Sequence, residues 1–505
     1  MTLGRARLQA LIDQLGEGLL ERDAAVRLTL LAALAGEHVL LIGPPGTAKS
    51  ALARRLQQAF PGAPYFERLL TRFSTPEELF GPLSLKALED DRYERLTEGF
   101  LPTAGIAFLD EVFKANSAIL NALLTLLNER EFDNGTQRVK TPLVAVVAAS
   151  NEVPTDEALL AFYDRFLVRM PVSPVGDAAF ATLLALGTPH AEALSAPTVS
   201  APPSAAHSAV SALPASKGVS AEDQASITRA AQQVRLSEDF IDGCRRLRAW
   251  LTTHQMPMSD RRWRQFVQLA QTAAATEERA ALDLLDLGLA PWVAGTRPED
   301  LAALQTWFID EALQAPPTAA PWLERAVQAF EKQLGLEQQT PTEGGGGQDD
   351  GAGKLALARA IGLGRMGEGE VAGRADDLED AGIAAAPRGG MQRIVSARLE
   401  DRQRKHWGRG HIEARVAQVA QVQTDVQGWM QAVQAARDAR ARALAQRLWQ
   451  PPELRARALE RHDEALALLA GFSQRLDEVR EGFAALPLNG EDDSAVRPVV
   501  WGEGG

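Results

Sequence analysis

Apolar positions recur at helical spacing through residues 5–35, where Leu8, Leu11, Ile12, Leu15, Leu19 and Leu20 are followed by Val26, Leu28 and Leu31. This spacing predicts two helices. The period then changes: short continuous apolar runs at 38–42, 65–70, 105–109 and 143–150 alternate with helical stretches as far as about residue 174. Strands that are apolar at every position, rather than at alternate ones, belong to a parallel sheet covered on both faces. Residues 1–190 are therefore expected to form an α/β subdomain around such a sheet.

Residues 191–220, centred on an Ala/Ser/Pro stretch at 194–218 with almost no charge, read as a linker. Residues 221–297 predict an all-α subdomain in which Ser259 caps a helix running to Ala275. Three amphipathic stretches follow at 299–335 (Leu323, Ala326, Phe330, Leu334), 411–449 (Ile412, Val416, Val419, Val426, Met430, Val433) and 453–485 (Leu469, Phe472, Leu476, Val479, Phe483). They predict one antiparallel triple-helical domain made of 298–337 plus 411–487. The piece between them, 338–410, opens with four glycines at 344–347 and carries scattered apolar residues such as Leu355, Ile361 and Ile394. It is expected to be a small Gly-rich module inserted into the bundle on two flexible tethers, and 488–505 to be a flexible tail.

Composition narrows the function classes. A chain of 505 residues with 46% apolar and 24% charged residues is globular and long enough for about three domains. The net charge of −13 counts against a protein built mainly to grip a phosphodiester backbone. A single cysteine, Cys244, excludes an intramolecular disulfide and a cysteine-rich zinc site. The opening residues show no charged-then-apolar leader pattern, and no apolar run approaches about 18 residues, so the expected compartment is the cytoplasm.

The chemistry begins at Val39-Leu40-Leu41-Ile42-Gly43-Pro44-Pro45-Gly46-Thr47-Ala48-Lys49-Ser50, an apolar strand running into a glycine-rich loop and then a helix. Backbone N–H groups of such a loop curl round a phosphate, Lys49 reaches the β and γ oxygens, and the Ser50 hydroxyl ligates Mg²⁺. Ala48 stands where the usual pattern has glycine. About 60 residues on, Ile106-Ala107-Phe108-Leu109-Asp110-Glu111 supplies a strand tipped by two carboxylates. Beside a phosphate loop, Asp110 suits Mg²⁺ held through water, and Glu111 suits the orientation and deprotonation of the attacking water. The strand 143–150 ends at Asn151, placed to touch the γ-phosphate or that water. Asn134-Gly135 within 130–142 predicts a type I′ hairpin turn.

This order of motifs, continued by Asp164-Arg165-Phe166, resembles AAA+ ATPases and within them the MoxR branch. The resemblance implies that Asn151 is sensor 1 and that Arg165 is an arginine finger completing the site of a neighbouring subunit, with Arg169 a second candidate. Arg261, in Ser259-Asp260-Arg261-Arg262-Trp263, resembles the sensor 2 arginine that touches the same nucleotide from the lid, with Arg262 the alternative. The runs 79–84, 98–102, 110–116 and 126–130 resemble the regulatory ATPase variant A (RavA) subgroup, as does a triple-helical domain interrupted by a small module. What the resemblance implies is a ring, expected to be a hexamer, that uses ATP and Mg²⁺ to remodel or mature protein partners and acts with a von Willebrand factor A domain protein. The 338–410 module would be the partner-binding piece, and in the subgroup it contacts the inducible lysine decarboxylase. Two other functions fit the same motifs: a nucleotide-switched scaffold, and a ring that translocates nucleic acid, which the acidic charge disfavours.

Overall fold

The structure is a computed structural model and describes residues 4–185, 218–314, 316, 320–339, 407–488 and 496–500. The chain divides into two compact units, Met1–Pro317 with Val433–Glu464, and Thr318–Ala432 with Ala465–Gly505.

In the first unit two helices, α1 (Arg5–Gly16) and α2 (Asp23–Ala35), precede β1 (Val39–Ile42) and α3 (Lys49–Ala59). Then come β2 (Tyr65–Leu69), α4 (Pro76–Phe80), α5 (Leu85–Glu89), β3 (Ile106–Asp110) and α6 (Ser117–Glu129). A hairpin of β4 (Glu131–Asn134) and β5 (Gln137–Lys140) leads to β6 (Ala145–Ser150), α7 (Glu157–Tyr163), β7 (Val168–Pro171) and α8 (Asp177–Ala185). Five of these strands form one parallel sheet in the order β2-β3-β6-β1-β7. Alternate residues of β1 serve different cores: Val39 and Leu41 pack with α1, α2 and α3, while Leu40 and Ile42 pack with α4 and α6. That two-sided burial is why the strands read as continuous apolar runs. β7 is a fifth strand that the apolar pattern did not predict, because Arg169 and Pro171 interrupt its run.

The expected Asn134-Gly135 turn is displaced by one residue. Asn134 pairs with Gln137, so Gly135 and Thr136 form the loop, and of these two only Gly135 has positive φ, at +65°. A glycine at the first loop position is the type II′ signature rather than I′. A Cβ on Gly135 would also lie 2.0 Å from the carbonyl oxygen of Tyr93. Asn134 ends β4 instead, accepting from the Arg95 N–H at 2.6 Å and donating to its carbonyl at 3.1 Å.

The lid is helical: α9 (Ala221–Gln233), α10 (Glu238–Thr253), α11 (Asp260–Thr276), α12 (Pro291–Ala294) and α13 (Asp300–Trp307), with a small pair of β8 (Arg235–Leu236) and β9 (Ala281–Leu282). Ser259 caps α11 as expected, its hydroxyl accepting from the Arg262 N–H at 3.3 Å.

Beyond the lid lie α14 (Pro321–Gln338), α15 (Arg409–Ala445) and α16 (Pro452–Ala484). The single helix expected over 299–335 is two, because α13 passes through a π-turn at Phe308–Ala312 and Pro316 cannot continue it. Residues 433–464, the joined ends of the last two helices, cluster with the first unit rather than with the bundle. Trp449 is fully buried there and donates to Thr276 Oγ1 at 2.7 Å, and Arg447 joins Asp286 at 3.2 Å.

In the second unit Leu323, Val327 and Phe330 pack from α14, Val419 and Val426 from α15, and Leu469, Leu476 and Phe483 from α16, all buried. Glu337 closes one end, accepting from Arg415 at 3.0 Å and paired with His411 at 2.9 Å, while Trp407 Nε1 donates to its carbonyl at 3.2 Å. Near this end Arg415 donates to the Arg497 carbonyl at 2.8 Å, so part of the expected tail is pinned. Residues 186–217 and 340–406, which hold most of the expected linker and inserted module, lie outside the described residues. No described helix is long and apolar enough to cross a membrane.

Candidate functional site

The loop after β1 is tied down on both sides. The Gly43 N–H donates to Ser150 at the end of β6 at 3.0 Å, and a Cβ on Gly43 would lie 2.0 Å from the Val172 carbonyl oxygen, so only glycine fits. Gly46 and Ala48 both take positive φ, +80° and +65°, which turns the backbone into the first turn of α3. Ala48 therefore occupies the left-handed position that glycine usually fills. Thr47 Oγ1 donates to the Pro44 carbonyl at 2.9 Å. Lys49 Nζ donates to the carbonyls of Gly43 at 2.5 Å and Pro44 at 2.9 Å, and Ser50 follows it in the first turn, half-buried.

One buried residue that the motifs did not point to sets this loop. Arg22, at the start of α2, donates from Nε to the Thr47 carbonyl at 3.2 Å and from Nη2 to the Ser173 carbonyl at 2.6 Å. Its guanidinium thus joins the phosphate loop to the segment after β7, and burial lowers its pKa. The sequence signal was a lone arginine just before an apolar helix, which by itself also suits a surface position.

At the ends of β3 and β6 the predicted polar residues converge. Asn151 Nδ2 donates to Glu111 Oε1 at 2.5 Å, and Asn151 Oδ1 lies 3.4 Å from Lys49 Nζ. Glu111 takes a left-handed φ of +54°, and its N–H donates to Asp110 Oδ1 at 3.0 Å. Burial raises the Asp110 pKa, opposed by that N–H and by Lys49. Burial lowers the Lys49 pKa, opposed by Asp110 and Glu111. A cation, two carboxylates, a side-chain amide and a ring of backbone N–H groups therefore share one end of the sheet. That set can hold a polyphosphate and a divalent cation and can hold a water for in-line attack.

The four candidate arginines separate by burial. Arg262 is buried on α11 and donates to the carbonyls of Val293 at 2.7 Å, Leu167 at 2.7 Å and Phe166 at 3.2 Å, and to Asp164 Oδ1 at 3.2 Å. Burial, then the charge of Arg169, brings its pKa down to about 9. Arg169 is buried too, donating to the Gly295 carbonyl at 3.2 Å and Asp164 Oδ1 at 3.2 Å, with its guanidinium 4.0 Å above the Tyr163 ring. Both are clamps between sheet and lid, so neither Arg169 as finger nor Arg262 as sensor 2 fits the geometry. They also occupy the Asp164 carboxylate. Arg165 is half-buried, and its Nε meets no acceptor among the described residues.

Arg261 is exposed and donates to Asn128 Oδ1 at 2.9 Å. Its neighbourhood is the other end of the strands: His38, just before β1, bonds the Leu127 carbonyl beside Asn128 at 3.1 Å. Arg165 lies at that same end, just before β7, and the charge of Arg261 adds to burial in lowering its pKa. Among the described residues Arg261 makes no hydrogen bond or ion pair with the loop, Asp110, Glu111 or Asn151, so the structure does not bring it together with them. Glu37 is buried nearby, accepts from Gln265 of the lid at 2.8 Å, and is pushed up by burial to about 7.

Residues 6–208 match the family described as the MoxR domain of MoxR-vWA-beta-propeller ternary systems, and 239–308 match an AAA lid domain. Two uncharacterized proteins of Methanocaldococcus jannaschii are each 53% identical, one over 167 residues and the other over 166, which is 33% of this chain and 44% of theirs. Protein MoxR of Paracoccus denitrificans is 32% identical over 154 residues, 29% of this chain and 44% of that protein. The chain thus spans less than half the length of these relatives. A crystal structure from Cytophaga hutchinsonii is 17% identical with a TM-score of 0.44, covering 58% of this chain and 87% of that one.

Proposed function

For a chain whose residues 6–208 match a MoxR domain and whose residues 239–308 match an AAA lid, we propose an Mg²⁺-dependent ATPase that works as a ring, as a hexamer in the cytoplasm, and couples hydrolysis to the remodelling or maturation of a protein partner. The observation that carries the reading is the contact series Lys49, Asn151, Glu111 across the ends of β1, β6 and β3. The residues present fit MgATP: the loop backbone is shaped by Gly46 and Ala48, and beside a buried lysine Ser50 would hold Mg²⁺ directly and Asp110 through water. When bound, Mg²⁺ would offset the negative charge of the phosphates.

The chain's own residues divide the remaining work. Loop N–H groups and Lys49 hold the phosphates in line. Asn151 and Glu111 orient the attacking water, and Glu111 takes its proton. Arg165, with a buried Nε that meets no acceptor among the described residues, is the finger completing a neighbour's site, where a guanidinium stabilises charge developing on the γ-phosphoryl group. We assign Arg261 to the same neighbour-facing role because it lies beside Arg165 and away from its own loop.

A von Willebrand factor A domain protein is the proposed partner, supported by the description of the matching MoxR domain. The RavA assignment, and with it chaperone-like action and a lysine decarboxylase contact through 338–410, rests on the motif runs. It is supported by a bundle whose chain leaves at Gln339 and returns at Trp407, at the same end. The test is ATP turnover by the full chain: Glu111→Gln should bind ATP and abolish hydrolysis. Turnover equal to wild type in that variant would refute the site.

A further inference from the structure

The chain reverses at Glu111 and enters a single 3₁₀ turn, Val112–Lys114, closed by the Lys114 N–H donating to the Glu111 carbonyl at 2.9 Å. In a 3₁₀ turn side chains three apart eclipse one another. Lys114 accordingly lies over Glu111, its Nζ 3.3 Å from Oε1. The turn is held in place by Phe113, whose ring meets Phe162 edge-on at 6.2 Å and Tyr163 at 6.0 Å. Oε1 is the same oxygen that takes the Asn151 amide at 2.5 Å, and Oε2 meets no donor among the described residues.

A single hydrogen bond leaves a carboxylate free to swing, because the terminal torsion of a glutamate is broad. A hydrogen bond from Asn151 and the ammonium of Lys114, both at the same oxygen and from different elements, restrict that freedom. We propose that Lys114 is a positioning residue: with Asn151 it pins Oε1 of Glu111 so that Oε2 is the oxygen presented to the attacking water. The proposal rests on the ATPase reading above. Lys114 is well exposed, 58% at the side chain against 16% for Glu111. A pair so open to solvent is weak, so the effect on rate is modest and falls with added salt.

The test is steady-state ATP hydrolysis by the assembled full-length protein carrying Lys114→Met or Lys114→Arg, alone and combined with Glu111→Gln, with ATP binding measured on each. Lys114→Met should lower kcat about fivefold with KM unchanged, and Lys114→Arg should restore most of the rate. In the Glu111→Gln background, where turnover is lost, Lys114→Met should leave ATP binding unchanged. An unchanged or raised kcat, an effect confined to KM, or weaker ATP binding caused by Lys114→Met in either background would overturn the positioning role while leaving the ATPase reading intact. Absence of hydrolysis by wild type, or full hydrolysis by Glu111→Gln alone, would remove that reading and the role of Lys114 together.

Discussion

Replacing Ala48 with glycine should raise the stability of the first unit, although it removes atoms. Ala48 sits at φ 65°, ψ 25°, immediately before α3. A left-handed backbone costs an L-residue with a Cβ about 1–2 kcal/mol. Glycine avoids that strain but gives back about 0.5–1 kcal/mol through its greater freedom in the unfolded state. The difference favours Ala48→Gly by about 0.5–1 kcal/mol, which is about 1–4 °C in melting temperature. Thermal unfolding followed by circular dichroism would measure it. Ala53→Gly supplies the opposite sign, because Ala53 is buried within α3, and glycine in a helix interior costs about 1 kcal/mol. Equal or lower stability of Ala48→Gly, with Ala53→Gly showing that the assay reports this helix, would refute the strain argument.

Other outcomes follow from the same geometry. Arg165→Ala and Lys49→Ala subunits should each be inactive in pure rings and partly active when mixed, because each completes a site with the other; hydrolysis by pure Arg165→Ala rings at the wild-type rate would remove the finger. Arg262→Met should destabilise the first unit by about 3 kcal/mol or more by leaving several buried carbonyls without a donor and Asp164 with Arg169 alone. Arg262→Lys should not rescue it, since an ammonium cannot span those acceptors; limited proteolysis between sheet and lid would read both. Burial lifts the Glu37 carboxyl from its usual 4.5 to about 7, so between those values the folded chain keeps a proton that the unfolded chain has lost. Stability from this group is complete below 4.5 and is lost as pH rises to about 7, at most about 3 kcal/mol. Melting at about pH 5 and about pH 8 should show Glu37→Gln with a flatter dependence than wild type.

Much of the site was legible because its logic is local. A strand, a glycine-rich turn and a helix N-terminus lie within a dozen consecutive residues, and short-range sterics alone put Lys49 and Ser50 at the loop. The strand tips at Asp110, Glu111 and Asn151 could be read for a related reason: apolar runs in a covered parallel sheet end where the chain re-emerges to polar surroundings. Arg22 was not legible, since its acceptors on Thr47 and Ser173 lie far along the chain. One signal in α11 could have separated Arg261 from Arg262. Phe266, Leu269, Ala270 and Ala273 form a buried stripe, and four residues back along it lies Arg262.

The sequence by itself determined most of the elements, the order of the motifs and the polar residues at the strand tips, since those depend on period, turn chemistry and neighbours in the chain. Only the tertiary structure decided where each arginine sits and what it touches. Arg165, Arg169, Arg261 and Arg262 are near neighbours in type and motif, yet two are buried clamps on Asp164 and two stand at the opposite end of the strands from the phosphate loop. Which face of a helix is covered, and which end of a sheet a loop reaches, depends on packing against residues tens to hundreds of positions away. Burial of that kind turns the same guanidinium from a free charge into a structural tie.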